Sequence, residues 1–247
     1  MQLFTSLWHR LFDPQPAPPS LLVAVTAVAA LVLVATYRTW KVGRHVVTIA
    51  HEGGHALAAL LTGRRLSGIR LHSDTSGLTV SRGRPRGPGM IATMLAGHLT
   101  PSLIGLVGAL LLTTRHITLM LWIALVLLPM MLVMIRNSFG VVSVVVTGAV
   151  VFVVSWYASP AVQAAFAYLS VWFLLAGGVR PIAELQRMRR RRQLPDSDAD
   201  QLARLTRVPG IFWVGLFTLV TVGCAVLGTW LLLRNLPLDV RLPGSVG

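Results

Sequence analysis

Apolar stretches long enough to cross a bilayer, roughly 17 residues or more, recur along this chain. No other pattern restricts a polypeptide so severely. In hydrocarbon every backbone N–H and C=O must be paired within the protein, so a spanning segment is either a helix or a strand of a closed barrel. No period-two alternation runs through the sequence, which excludes the barrel. The apolar stretches lie at about 21–37, 45–62, 88–113, 117–135, 139–157, 160–179 and 211–233. The expected fold is therefore all-α: a polytopic transmembrane helix bundle of about seven segments. Composition agrees, since 54% of the 247 residues are hydrophobic and 12% are charged, against roughly 25% charged in a soluble domain.

The rest of the chain divides around these segments. Residues 1–20 form a tail ending in Pro14, Pro16, Pro18 and Pro19, without the small-residue cleavage site of a removable signal peptide. Residues 21–233 read as one membrane domain and 234–247 as a C-terminal tail. Two connections are long. The first, 63–87, predicts a β-hairpin over 66–81, where Ile69, Leu71, Leu78 and Val80 alternate with polar residues around a Ser-Asp-Thr-Ser-Gly turn. The second, 180–210, is basic and then acidic. Cys224 stands alone in an apolar run, so no internal disulfide is expected and it reads as a packing residue.

The net charge of +14 comes from 21 Arg and one Lys against eight acids. Such a balance can mark a nucleic-acid binder, but no nucleic-acid-binding module accompanies the arginines, and none is expected to bind here. Loops facing an anionic leaflet account for it better. With seven segments, the N-terminal tail, both long loops and Arg136 share one side and hold 16 of the positive residues. Arg38, Lys41, Arg44, Arg115, Arg234 and Arg241 fall on the other. The positive-inside rule then puts the N-terminus, hairpin and basic loop in the cytoplasm. Arg in place of Lys is the codon habit of a GC-rich genome, so a bacterial plasma membrane is expected. The run RMRRRR at 187–192 reads as an anchor on anionic lipid, with docking of a substrate tail as a second reading.

One segment carries chemistry. Of the eight acids, only Glu52 sits inside a membrane-length apolar stretch, VVTIAHEGGHALAALL. An ionisable group there is expensive and marks a functional site by default. His51 and His55 are four apart, so both imidazoles leave one helix face and can bind a single ion. Glu52 follows the first of them, the position from which a carboxylate takes the proton of a zinc-activated water. With 7 His and two Glu in the chain, chance produces H-E-x-x-H on the order of 10⁻³ times per chain. The plain alternative is two packing histidines with Glu52 paired to one of them. Gly53 and Gly54 lower helix stability by about 1 kcal/mol each relative to Ala, but let another backbone come close, substrate included. At 1.5 Å per residue, 46–61 covers about 24 Å with Gly53 near its middle, so the metal would lie well below the membrane surface.

These pieces, HEGGHALAALLTG, the SGLTV of the hairpin, AGHLTPSLIG and SDADQLARLTRVPGIFW, lie between about residues 45 and 215. Together they resemble the M50 peptidases, the site-2 protease class, and most closely their M50B-like branch. The resemblance implies a Zn²⁺-dependent membrane endopeptidase that cuts peptide bonds in or near transmembrane segments of a membrane-protein substrate. The chain lacks the Asp-Gly pair with which well-characterised members supply a third zinc ligand from a later membrane helix.

That ligand must come from elsewhere. Asp13 and Asp239 are in tails and Asp74 is at a hairpin tip. His98 could reach a buried metal or simply pack between helices. Asn137 could donate to the carbonyl under attack or cap the following helix. Among Asp196, Asp198 and Asp200, the family-like SDA element singles out Asp198, which would also suit a helix start. The expected set is thus His51, His55 and Asp198 for zinc, and Glu52 for catalysis. The hairpin could hold an unwound substrate by strand addition. The rival reading is a non-enzymatic scaffold or metal carrier that retains the motif.

Overall fold

The computed structural model describes residues 8, 12–191 and 196–234. Arg10, Arg192, Asp239 and Arg241 lie outside the described residues, as do the loop residues 193–195 and most of the C-terminal tail. The helices run α1 Ser20–Ala35, α2 Tyr37–Leu61, α3 Pro88–Thr113, α4 Ile117–Leu132, α5 Ser138–Tyr157, α6 Pro160–Arg190, α7 Asp198–Thr206 and α8 Gly210–Leu233. Two strands, β1 Arg65–Leu71 and β2 Gly77–Arg82, stand between α2 and α3.

Helices α3, α5, α6 and α8 are each long and apolar enough to cross a membrane. A fifth span exists if α1 and α2, bent by 99° at Thr36, count as one. Helix α4 has 16 residues, about 24 Å, and is short of a hydrocarbon core of about 30 Å. The protein is an integral membrane protein with four to five candidate spans among the described residues, fewer than the seven expected from hydropathy.

The difference begins at residues 38–44, which read as an external loop but form the first turns of α2. Two of them, Trp40 and Arg44, find partners on α6. The Trp40 indole N–H donates to Glu184 Oε1 at 3.0 Å, Arg44 pairs with Glu184 Oε2 at 2.9 Å, and the Arg180 guanidinium lies 4.8 Å from the Trp40 ring. Arg180 also donates to Glu184 Oε1 at 3.0 Å and to the C=O of Val34. Pairing of this kind lets the chain stay helical where charge alone predicts a break.

Helix α3 is the centre of the bundle, packed on α2, α6 and α8. Its small residues set the close approaches. Gly108 faces Val171, Gly105 faces Leu175, and Ser102 faces Gly178, so α3 and α6 run antiparallel. The Arg115 end of α3 therefore lies beside the N-terminus of α6, and Pro88 lies at the end where α6 enters the basic loop. Gln15 belongs to the former end. Its N–H donates to the Arg115 C=O at 3.0 Å, and its side chain reaches Thr118 and Gln163. The described end of the N-terminal tail, at Gln15, and the described residues of the basic loop thus lie at opposite ends of the bundle, which corrects the expectation that tail and loop share a side. With α1 and α2 counted as one bent passage in place of two crossings, the count of sides shifts by one.

The hairpin expected over 66–81 forms, with Ile69 opposite Thr79, Leu71 opposite Gly77, and a bulge between Leu66 and Gly68. Its two faces differ: Ile69 and Leu71 are buried, whereas Leu78 and Val80 are exposed. The strands run back along α2, so that Thr48 Oγ1 donates to the Thr75 C=O at 2.9 Å. The outer edge of β1 is covered. Ile69 N–H donates to the Met134 C=O at 2.8 Å, and Arg136 N–H to the Ile69 C=O at 2.9 Å. Asn137 continues this edge with its side chain, accepting from Leu71 N–H at 3.1 Å and donating to the Leu71 C=O at 2.6 Å. It makes no side-chain cap on α5, its amide serving β1 instead. The side-chain cap read for Asn137 from the sequence does not form, because a primary amide presents the same donor–acceptor pair as a strand neighbour.

Candidate metal centre

His51 and His55 project together from the middle of α2, with Nε2 atoms 3.0 Å apart. His55 Nδ1 lies 2.7 Å from the Thr93 C=O. A carbonyl only accepts, so Nδ1 carries the proton and a neutral His55 turns the lone pair of Nε2 inward. This carbonyl-backed arrangement is the one that metal-binding histidines use. The close contact of α2 with α3 depends on two glycines. A Cβ on Gly97 would run into both imidazoles, and one on Gly54 would run into Thr100 and the Ala96 carbonyl. The neighbour that Gly54 admits is therefore α3, while the nearest atom to a Cβ on Gly53 is Met131 Sδ at 3.9 Å.

The chain folds back after α6, and α7 brings Asp198 to the same point. Asp198 Oδ2 lies 3.4 Å from Nε2 of His51, 3.4 Å from Nε2 of His55 and 3.5 Å from Nε2 of His98. The helix-start role falls to its neighbours. Ser197 accepts from Asp200 N–H, and the Asp200 carboxylate turns back to the Ser197 backbone, completing a capping box. Asp198 is left free to face the histidines. Asp200 is also held by Arg189 through contacts of 2.7 and 3.2 Å. Ala199 and Leu202 fix α7 from beneath, packed with Ile182, Leu185, Trp213 and Phe217. Asp196 pairs with Arg204 at the surface, and Asp74 accepts from Ser76 at the hairpin tip. Both lie apart from the cluster.

Glu52 is buried, 3% exposed, and its Oε2 accepts from Thr79 Oγ1 at 2.6 Å. Gly77 leaves the room this carboxylate needs, since a Cβ there would collide with it. Sequence reasoning missed the parts played by Thr79, Gly77 and Gly97. A signal for the first existed: Thr79 and Ser81 form the polar face of a strand that follows the apolar stretch holding Glu52.

The donor set fits a metal. Unprotonated imidazole nitrogens and a carboxylate oxygen only accept, and turning several of them toward one another is unfavourable unless a cation lies between. The ligand atoms of His51, His98 and Asp198 all fall within 4.8 Å of one another. Comparison with protein families matches the model described as Peptidase M50B-like to residues 24–228. The chain belongs to that family. Comparison with curated proteins and with solved structures gives no match. The M50B-like match spans α1 to α8, and so takes in the HEGGH helix, the hairpin and the helix that carries Asp198.

Proposed function

We propose that this M50B-like chain is an intramembrane zinc endopeptidase, with His51, His55 and Asp198 as zinc ligands and Glu52 as general base. One observation carries the reading: a carboxylate 147 positions from His51 places one oxygen 3.4 Å from both imidazoles of HEGGH. Zinc, when bound, supplies a Lewis acid for the scissile carbonyl and an acidified water. The protein's part is to hold the ligands and to restrain the Glu52 carboxylate through Thr79. Purified protein should contain about one zinc per chain, and His51→Ala with His55→Ala should remove it. Metal analysis that finds no zinc in the parent, or the same zinc in the double variant, overturns the proposal.

The substrate is a membrane protein, held in extended form along β2. Ile69 and Leu71 direct their N–H and C=O toward residues 134–137, so their partners Thr79 and Gly77 direct theirs to the opposite, outer edge. Among the described residues no backbone group bonds that edge, and it runs beside Glu52. Arg70 alternates with these residues, so its N–H serves the hairpin's own ladder and it is no probe of the edge. Thr79→Pro should slow cleavage at least tenfold by removing an edge donor. Thr79→Val, which keeps the N–H and loses the hydroxyl, measures the effect on Glu52 alone. Equal rates for the two variants would count against strand addition.

The end bearing the basic loop and the hairpin base faces the cytoplasm and its anionic lipid, which puts the N-terminus outside. That end holds most of the arginines. A membrane-impermeant thiol reagent should label Pro14→Cys in intact cells and Arg86→Cys only after lysis. The opposite pattern reverses the orientation.

A further inference from the structure

His98 stands in the cluster without a part in the three-ligand site. Its ring lies 4.8 Å from that of Phe217, which would satisfy a packing residue. Packing does not require its Nε2 to lie 3.5 Å from the same Asp198 oxygen that the two HEGGH imidazoles approach. The spacing has a simple meaning. Ligands about 2.0–2.1 Å from a tetrahedral zinc are separated by edges of about 3.3–3.4 Å. The separations here are 3.0 Å for His51–His55 and 3.4, 3.4 and 3.5 Å for Asp198 to His51, His55 and His98. The ligand atoms of His51, His55 and Asp198 thus stand near such spacings before any ion is added, and His98 adds a fourth, 3.5 Å from the Asp198 oxygen and within 4.8 Å of the ligand atom of His51. Gly97, whose lack of a side chain admits the two imidazoles, precedes it on α3.

We propose that His98 is a fourth protein ligand, so that the resting centre is a closed set of three nitrogens and one oxygen. This rests on the zinc reading above and goes beyond it. Catalytic zinc sites keep an open position, whereas sites with four protein ligands are closed. With four protein ligands a bound zinc would have no open position for water, so the protein in this arrangement would be latent.

The test is cobalt substitution of purified full-length protein, with zinc affinity measured by chelator competition. Cobalt in the parent should show the intense visible bands of four-coordination. His98→Cys should add a near-ultraviolet thiolate-to-cobalt charge-transfer band, which no packing role can produce. His98→Ala, and His98→Phe, which keeps a ring against Phe217, should each weaken zinc binding by about 100-fold or more, the upper end of what loss of an outer-shell partner costs. Cobalt bound at full stoichiometry in His98→Cys without the new band overturns the proposal, as does wild-type zinc affinity in both other variants. Failure of the parent to bind either metal strikes instead at the zinc reading itself.

Discussion

Glu52→Gln should reduce cleavage of a transmembrane substrate by more than about 10²-fold while zinc content stays at the parent level. The amide has the shape of the carboxylate, and its oxygen can still accept from Thr79 Oγ1, which lies 2.6 Å from Glu52 Oε2. The helix and hairpin should therefore stay in register. What is lost is the ability to take a proton from the attacking water. Single-turnover cleavage beside metal analysis separates the alternatives. A parental rate would remove Glu52 as the base, and joint loss of zinc and activity would make it a ligand. A metal carrier or scaffold that retains the motif would show no change in its metal and no activity to lose.

The second large effect is expected at Asp198. Asp198→Asn should weaken zinc binding by about 100-fold or more, because a neutral amide replaces the charged donor at the convergence of the imidazoles. Its two acidic neighbours should then rank by their contacts. Asp196, paired with Arg204 in an exposed position, should be silent on substitution by Asn. Asp200→Asn removes the charge that Arg189 grips and loosens the capping box, so a loss of about tenfold in zinc affinity is expected from displacement of α7. Equal zinc affinity in all three variants would remove Asp198 from the site.

What could be read from the sequence was what local periodicity carries. His51, Glu52 and His55 are placed by four-residue helical spacing within one segment, and the hairpin by alternation across a polar turn. Asp198 was narrower: three acids at a helix start look alike in sequence, and only the capping geometry assigns Ser197 and Asp200 to the cap. The bend at Thr36 was hidden because Arg44, within the basic stretch 38–44, is paired with Glu184, about 140 residues further on, which also accepts from Trp40. That distant partner also misled the assignment of sides. Asn137 was unreadable for a related reason: its amide imitates a strand, and nothing nearby in the chain announces the strand it meets.

The division of the centre between α2 and α7 also has a consequence in time. The HEGGH helix is made 147 residues before Asp198. At roughly 5–20 residues per second, the interval is on the order of 10 s. Through that interval the inserting chain holds Glu52 and two imidazoles, but not the carboxylate that converges on them. On the zinc reading, the nascent protein cannot cut neighbouring helices, or its own, until the chain beyond α6 has emerged and folded back.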